Sequence, residues 1–197
     1  MSWQISPVNR TTSAATAAYL ASVLFAIHLV TYLIPVLRDA TGLTAPLIAE
    51  PLTILAVAEH LCIFLIIPAL PAPDWARIAG YGWLVVDIAS DIMQLNGTPR
   101  ENYLPLRYGG HISAALWILL VSLSTTGALR IIGILLALDL AIYSFIAFIP
   151  LSFLLLLPSL ILLPLWLALS GRLLAHQKTG DAILENTSDA TTNVRTI

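Results

Sequence analysis

The sequence predicts an all-α integral membrane protein, a bundle of about six transmembrane helices, and three observations predict it. Mean hydropathy is +0.90. Of the residues, 58% are hydrophobic and only 10% are charged, whereas soluble domains carry about a quarter charged residues. Several apolar runs of span length follow one another, and about 20 residues at 1.5 Å each cross a ~30 Å hydrocarbon core. Breaker-rich polar stretches separate them, among them "PALPAPD" (68–74), "NGTPRENYLPLR" (96–107) and "TTG" (125–127).

Residues 1–13 form a short N-terminal tail with one Arg. The apolar run behind it is about 24 residues, too long for the core of a cleavable signal. The first span is expected over 14–37, the second over 47–70 and the third over 75–95. The polar segment 96–107 then reads as an outer loop, able to act as a lid, before a fourth span over 108–125. The fifth is expected over 129–149 and the sixth over 151–169, divided at Pro150. A proline is tolerated in a first helical turn but disfavours helix in the residue before it. Five spans, with the last apolar stretch as one broken helix, is the alternative; that helix would far exceed a bilayer. The C-terminal tail, 172–197, is polar, small and acidic and is expected to be disordered.

Six spans put both termini on one side. That side carries Arg10, Arg77, Arg130, Arg172 and Lys178 near the span ends, against Arg38, Arg100 and Arg107 opposite. An excess of Lys and Arg marks the cytoplasmic side, so both termini are expected in the cytoplasm.

A weak hairpin repeat is visible. "RIAGYGWLVVDIA" (77–89) resembles "RIIGILLALDLA" (130–141), and "ISAALWILL" (112–120) resembles "ILLPLWLAL" (161–169). Spans three and four would thus be related to spans five and six, an arrangement common in transporters. Separately, "HLVTYLIPVL" (28–37) resembles "HLCIFLIIPAL" (60–70).

The informative residues are the polar ones inside the spans. His28 lies in span one, Glu59 and His60 in span two, Asp87, Asp91 and Gln94 in span three, His111 in span four, and Asp139 with Tyr143 in span five. A carboxylate at the midplane costs roughly 2.5–3.5 kcal/mol, so four cost on the order of 10 kcal/mol. A whole domain is stable by only about 5–15 kcal/mol. Such groups must therefore face the bundle interior, partnered or protonated. Gly80, Trp83, Asp87, Asp91 (or Ser90) and Gln94 keep the 3–4 spacing of one helical stripe.

Asp87 and Asp91, one turn apart in low dielectric, cannot both ionise cheaply, which points to a shared proton or a neutralising cation. Asp87, Asp91, Glu59 and His60 are the candidates for proton relay or acid–base chemistry. His28, Asp139, Tyr143, Trp83, Gln94 and His111 are the candidates for substrate binding.

Three functions fit this pattern. The first is a small proton-linked transporter or permease for a small polar or cationic solute. The second is a membrane-embedded acid–base enzyme acting on a lipid or isoprenoid, such as an isomerase, cyclase or hydrolase. The third is a structural or scaffold subunit whose polar residues only fix helix pairing.

No Walker loop, dinucleotide Gly pattern, HExxH or CxxC occurs, and no cofactor or metal is expected. Three His and several acids on separate spans leave zinc as a weaker alternative. The single cysteine, Cys62, excludes an internal disulfide. A net charge of −2 without a Lys/Arg cluster points away from nucleic acid. The expected partners are the lipid bilayer and a small-molecule or lipid ligand. Span six, which has no ionisable group, suits a homo-oligomer interface.

Overall fold

The computed structural model describes residues 7–34, 45–146 and 152–194, and the elements formed among them are all helices. These are α1 (Pro7–Leu33), α2 (Ala45–Ile66), α3 (Asp74–Leu95), α4 (Arg100–Leu123), α5 (Gly127–Ile146) and α6 (Ser152–Val194). Among the described residues four stretches, Thr11–Thr31, Arg100–Leu123, Gly127–Ile146 and Leu154–Gln177, are long and apolar enough to cross a membrane. The apolar composition of helix α3 is broken by Asp74, Arg77, Asp87 and Asp91.

Each helix packs on its neighbours in the chain, and α6 closes the ring by packing on α1. The short links 67–73, 96–99 and 124–126 force the helices they join to run antiparallel. Small residues make the closing contact tight. Ala14, Ala15, Ala17, Ala18 and Ala21 of α1 are buried, and the Ser22 hydroxyl donates to the Pro164 carbonyl of α6 at 2.7 Å. Without bulky side chains two helix backbones can approach closely, which is how apolar helices associate without a hydrophobic driving force.

Three indoles cross the interior. Trp83 of α3 lies 6.1 Å from Trp117 of α4, and Trp117 meets Trp166 of α6 edge-on at 5.5 Å. Trp117 and Trp166 are fully buried, so they are packing residues rather than anchors at a membrane interface. Two glycines admit them. A Cβ on Gly80 would come within 2.9 Å of the Trp117 ring, and one on Gly133 would meet Ser122 Oγ and Trp166 Nε1.

Several boundaries differ from the sequence reading. Helix α4 begins at Arg100, so most of the expected lid is helix and the link is only residues 96–99. Pro99 immediately before the helix and Glu101 in its first turn are start signals. Pro105 is tolerated inside because it forfeits a single bond near the end. Helix α6 continues past Leu169 and through Arg172 to Val194. The expected division at Pro150 and the link between spans one and two lie outside the described residues.

Candidate functional site

Helix α2 presents two adjacent polar residues that point different ways, since consecutive residues are about 100° apart on a helix. Glu59 faces α1, where His28 Nδ1 lies 3.3 Å from its Oε2. His60 faces α3, meeting Asp87, Asp91 and Trp83, and is the centre of the larger group. Glu59 is fully buried, and its Oε1 has no hydrogen-bond partner.

The stripe of α3 read from the sequence lies on its buried face, with Gly80, Trp83, Asp87, Ser90 and Asp91 enclosed. His60 Nε2 is 3.3 Å from Asp87 Oδ2, and His60 Nδ1 is 3.6 Å from Asp91 Oδ2. The Trp83 indole N–H donates to Asp87 Oδ2 at 2.5 Å. His111 Nε2 approaches the same oxygen at 3.8 Å, and Arg107 pairs with Asp91 Oδ1. Asp87 Oδ1 lies over Gly110, where a Cβ would come within 3.0 Å of it. Gly110 is the notch in α4 that lets the carboxylate approach.

The protonation of His60 follows from its neighbours. Its Nδ1 lies 2.7 Å from the Ala56 carbonyl, and a carbonyl oxygen only accepts, so Nδ1 carries hydrogen. Nε2 then faces Asp87 Oδ2 at 3.3 Å, an ion pair whenever the ring is protonated.

Aromatic rings enclose the group. Phe25 and Trp83 meet the His60 ring edge-on at 5.9 and 5.7 Å. Tyr143 of α5 is buried, 5.9 Å from the His111 ring and 5.8 Å from Tyr108. Toward the α3–α4 link, the polar interior continues through Asp91 and Arg107 to Gln94, whose amide donates to Thr53 Oγ1 at 3.1 Å. In the other direction it ends at Trp83, Trp117 and the buried Ile63, Ile67 and Leu70. A groove of about 540 Å³ lined by Thr125, Leu129, Arg172 and His176 opens at that apolar end, one side of the bundle away from the acids.

Asp139 stands apart. Its Oδ2 accepts from the Ser159 backbone N–H at 2.9 Å and from the Ser159 hydroxyl. Pro158 precedes that residue inside α6, so the acid satisfies backbone where a proline interrupts the helical bonding. Tyr143, one turn on from Asp139, belongs instead with His111.

Arg107 was missed by the sequence reading, which placed it in a loop. Its signal is the four-residue spacing to His111, which puts both on one face once α4 is extended to Arg100. Among the described residues no group of three or more His, Cys, Asp or Glu is arranged to hold a metal. No protein-family model matches the chain, and comparison with curated proteins and with solved structures finds no significant similarity.

Proposed function

We propose that the protein is a small proton-linked transporter whose exchange site is the His60–Asp87–Asp91–Arg107–His111 group with the adjoining His28–Glu59 pair. The single observation that carries this reading is the buried imidazole–carboxylate contact, His60 Nε2 lying 3.3 Å from Asp87 Oδ2, with Nδ1 committed to the Ala56 carbonyl. A proton shared between two titratable groups passes to either at little cost, which is the requirement of a relay. Three buried carboxylates, Glu59, Asp87 and Asp91, face one permanent cation, Arg107. Neutrality in low dielectric therefore requires about two further positive charges, and His28, His60 and His111 are the groups placed to carry them.

In this reading all six helices span the bilayer and both termini are cytoplasmic. Five Lys and Arg near the span ends of one side against three on the other support that orientation. The polar interior then faces outward, and the indole layer closes it toward the cytoplasm. A reporter fused after Lys178 is active only in the cytoplasm and one inserted at 96–99 only outside; both on one side would sink the six-span topology.

Hairpin α3–α4 and hairpin α5–α6 are, in the same reading, copies of one unit. Gly80 receives Trp117 and Gly133 receives Trp166. Gly110 precedes Trp117 by seven residues, as Ser159 precedes Trp166. Each of those residues faces the acid of its own hairpin, Asp87 or Asp139.

The test is proton flux. In vesicles loaded with a pH dye, gradients of small polar solutes drive proton movement through the wild-type chain, and Asp87→Asn abolishes it. Turnover of an extracted membrane lipid in detergent, lost in Asp87→Asn, would instead establish the enzyme reading, because detergent removes vectorial transport and leaves chemistry intact. Proton flux unchanged by Asp87→Asn would remove this site from the mechanism.

A further inference from the structure

We infer that the groove at the apolar end of the bundle binds an anionic phospholipid, with the headgroup phosphate held by Arg172 and His176. The inference goes beyond the transport reading and needs only that the helices cross a membrane.

The groove lies at the depth where a headgroup sits. Three of the four apolar stretches long enough to span a bilayer end at its walls. Arg100–Leu123 stops one residue before Ser124, Gly127–Ile146 starts one residue before Ala128, and Leu154–Gln177 stops at Gln177. Ser124, Ala128 and Gln177 all line the groove, as does Pro71 from the α2–α3 link. A hollow at the common end of several spans lies where hydrocarbon gives way to water.

Helix α6 brings two chemistries to this hollow on one face. Leu169, Arg172, Leu173 and His176 line it and keep the 3–4 spacing of a single stripe. Leu169 and Leu173, with Leu129 of α5, give it an apolar wall. Arg172 and His176 are exposed and one turn apart. Among the described residues neither is taken up by an ion pair, and no acid lines the groove. Asp74, three residues beyond Pro71, is engaged by Arg77 at 2.9 Å.

The remaining polar groups are mostly donors. Ser124 and Thr125 spend their hydroxyl hydrogens on the Leu120 and Ser122 carbonyls, each at 2.9 Å. That leaves the Thr126 hydroxyl and the Gln177 amide beside the two basic side chains. Ala128 and Leu129 belong to the first turn of α5, where helix amides have no internal acceptor.

One ligand class answers both chemistries. Inorganic phosphate would meet the cations and leave the leucines in water, whereas a neutral lipid would cover the leucines and leave the cations unanswered. An anionic phospholipid does both, and basic pockets between transmembrane helices suit such headgroups. The volume of about 540 Å³ is in the usual range for a small-molecule site.

The test uses the purified full chain in neutral detergent with phosphatidylglycerol, phosphatidylcholine or inorganic phosphate added. Native mass spectrometry counts retained lipid, and thermal unfolding reports stabilisation. Phosphatidylglycerol is expected to be retained as a single molecule, at least about tenfold more tightly than phosphatidylcholine. Replacing both Arg172→Ala and His176→Ala is expected to weaken phosphatidylglycerol about tenfold and leave phosphatidylcholine unchanged. Both side chains are exposed, so the variant is expected to fold. Arg130→Ala removes an exposed cation from the same end that does not line the groove, and is expected to change binding by less than about twofold.

Equal retention of the two lipids, or no retained phosphatidylglycerol, would overturn the inference. So would equal losses in Arg130→Ala and the double variant, which would reveal diffuse attraction to charge. Stabilisation by inorganic phosphate as strong as that by phosphatidylglycerol would assign the cations to a soluble anion and remove the lipid. A failure of proton flux in vesicles would overturn the transporter and leave this site standing.

Discussion

The hairpins α3–α4 and α5–α6 place an acid at matching positions and use it in opposite ways. Asp87 follows Gly80 by seven residues and Asp139 follows Gly133 by six. Each glycine admits the indole of the next helix. Asp87 then faces a glycine, Gly110, which supplies no donor, and its Oδ2 is met by His60, Trp83 and His111 from α2, α3 and α4. Asp139 faces Ser159, which supplies a backbone N–H and a hydroxyl to one oxygen. Asp139 is satisfied by neutral donors of one residue, whereas Asp87 meets two imidazoles, one of them from outside its hairpin. The residue opposite the acid differs, glycine in one hairpin and serine in the other.

The strongest way to break this comparison is to neutralise each acid in turn. Asp87→Asn is expected to abolish proton-linked activity, since an amide cannot exchange a proton with His60. Asp139→Asn is expected to keep activity within about twofold, because its amide oxygen still accepts from Ser159. Equal loss in a flux assay would mean that both acids serve the proton path.

Next in size are the glycines. A Cβ on Gly133 would fall on the Ser122 hydroxyl, which donates to the Ile118 carbonyl at 2.6 Å and lies 3.3 Å from the Trp166 indole N–H. Gly133→Ala is expected to destabilise by about 1–3 kcal/mol, the usual range for overpacking. Gly80→Ala, which meets only the Trp117 ring and the Ile67 tip, is expected to cost less. Thermal unfolding in detergent checks the order, and a reversed order would break the equivalence of the two notches.

A subtler measurement is the double change of Asp87 and Asp91 to Asn. Both carboxylates approach the His60 ring, so their effects on the pH profile of activity are expected to be non-additive by about 0.5–3 kcal/mol. Additive effects would show that the two acids answer to separate partners.

The smallest effect is expected from Ser159→Ala, about 1 kcal/mol of stability with activity retained. Melting temperature and flux, measured together, would reveal any larger role for the Asp139 pair.

The all-helical architecture and the buried stripe of α3 were legible in the sequence alone. Hydropathy and helical spacing are local properties, and an acid in an apolar run must turn inward whatever surrounds it. The same locality made the notch glycines and indoles visible as a faint repeat. What each acid meets was decided by tertiary structure alone. Glu59 and His60 are adjacent in the chain yet serve different neighbours, His28 on α1 and Asp87 on α3. Arg107 reads as a loop charge until α4 is seen to begin at Arg100, which carries it to Asp91. Asp139 looks equivalent to Asp87 until Ser159 is found opposite. Such pairings depend on the rotation and depth of whole helices against one another. Packing between small residues and indoles sets those quantities, and no single segment encodes them.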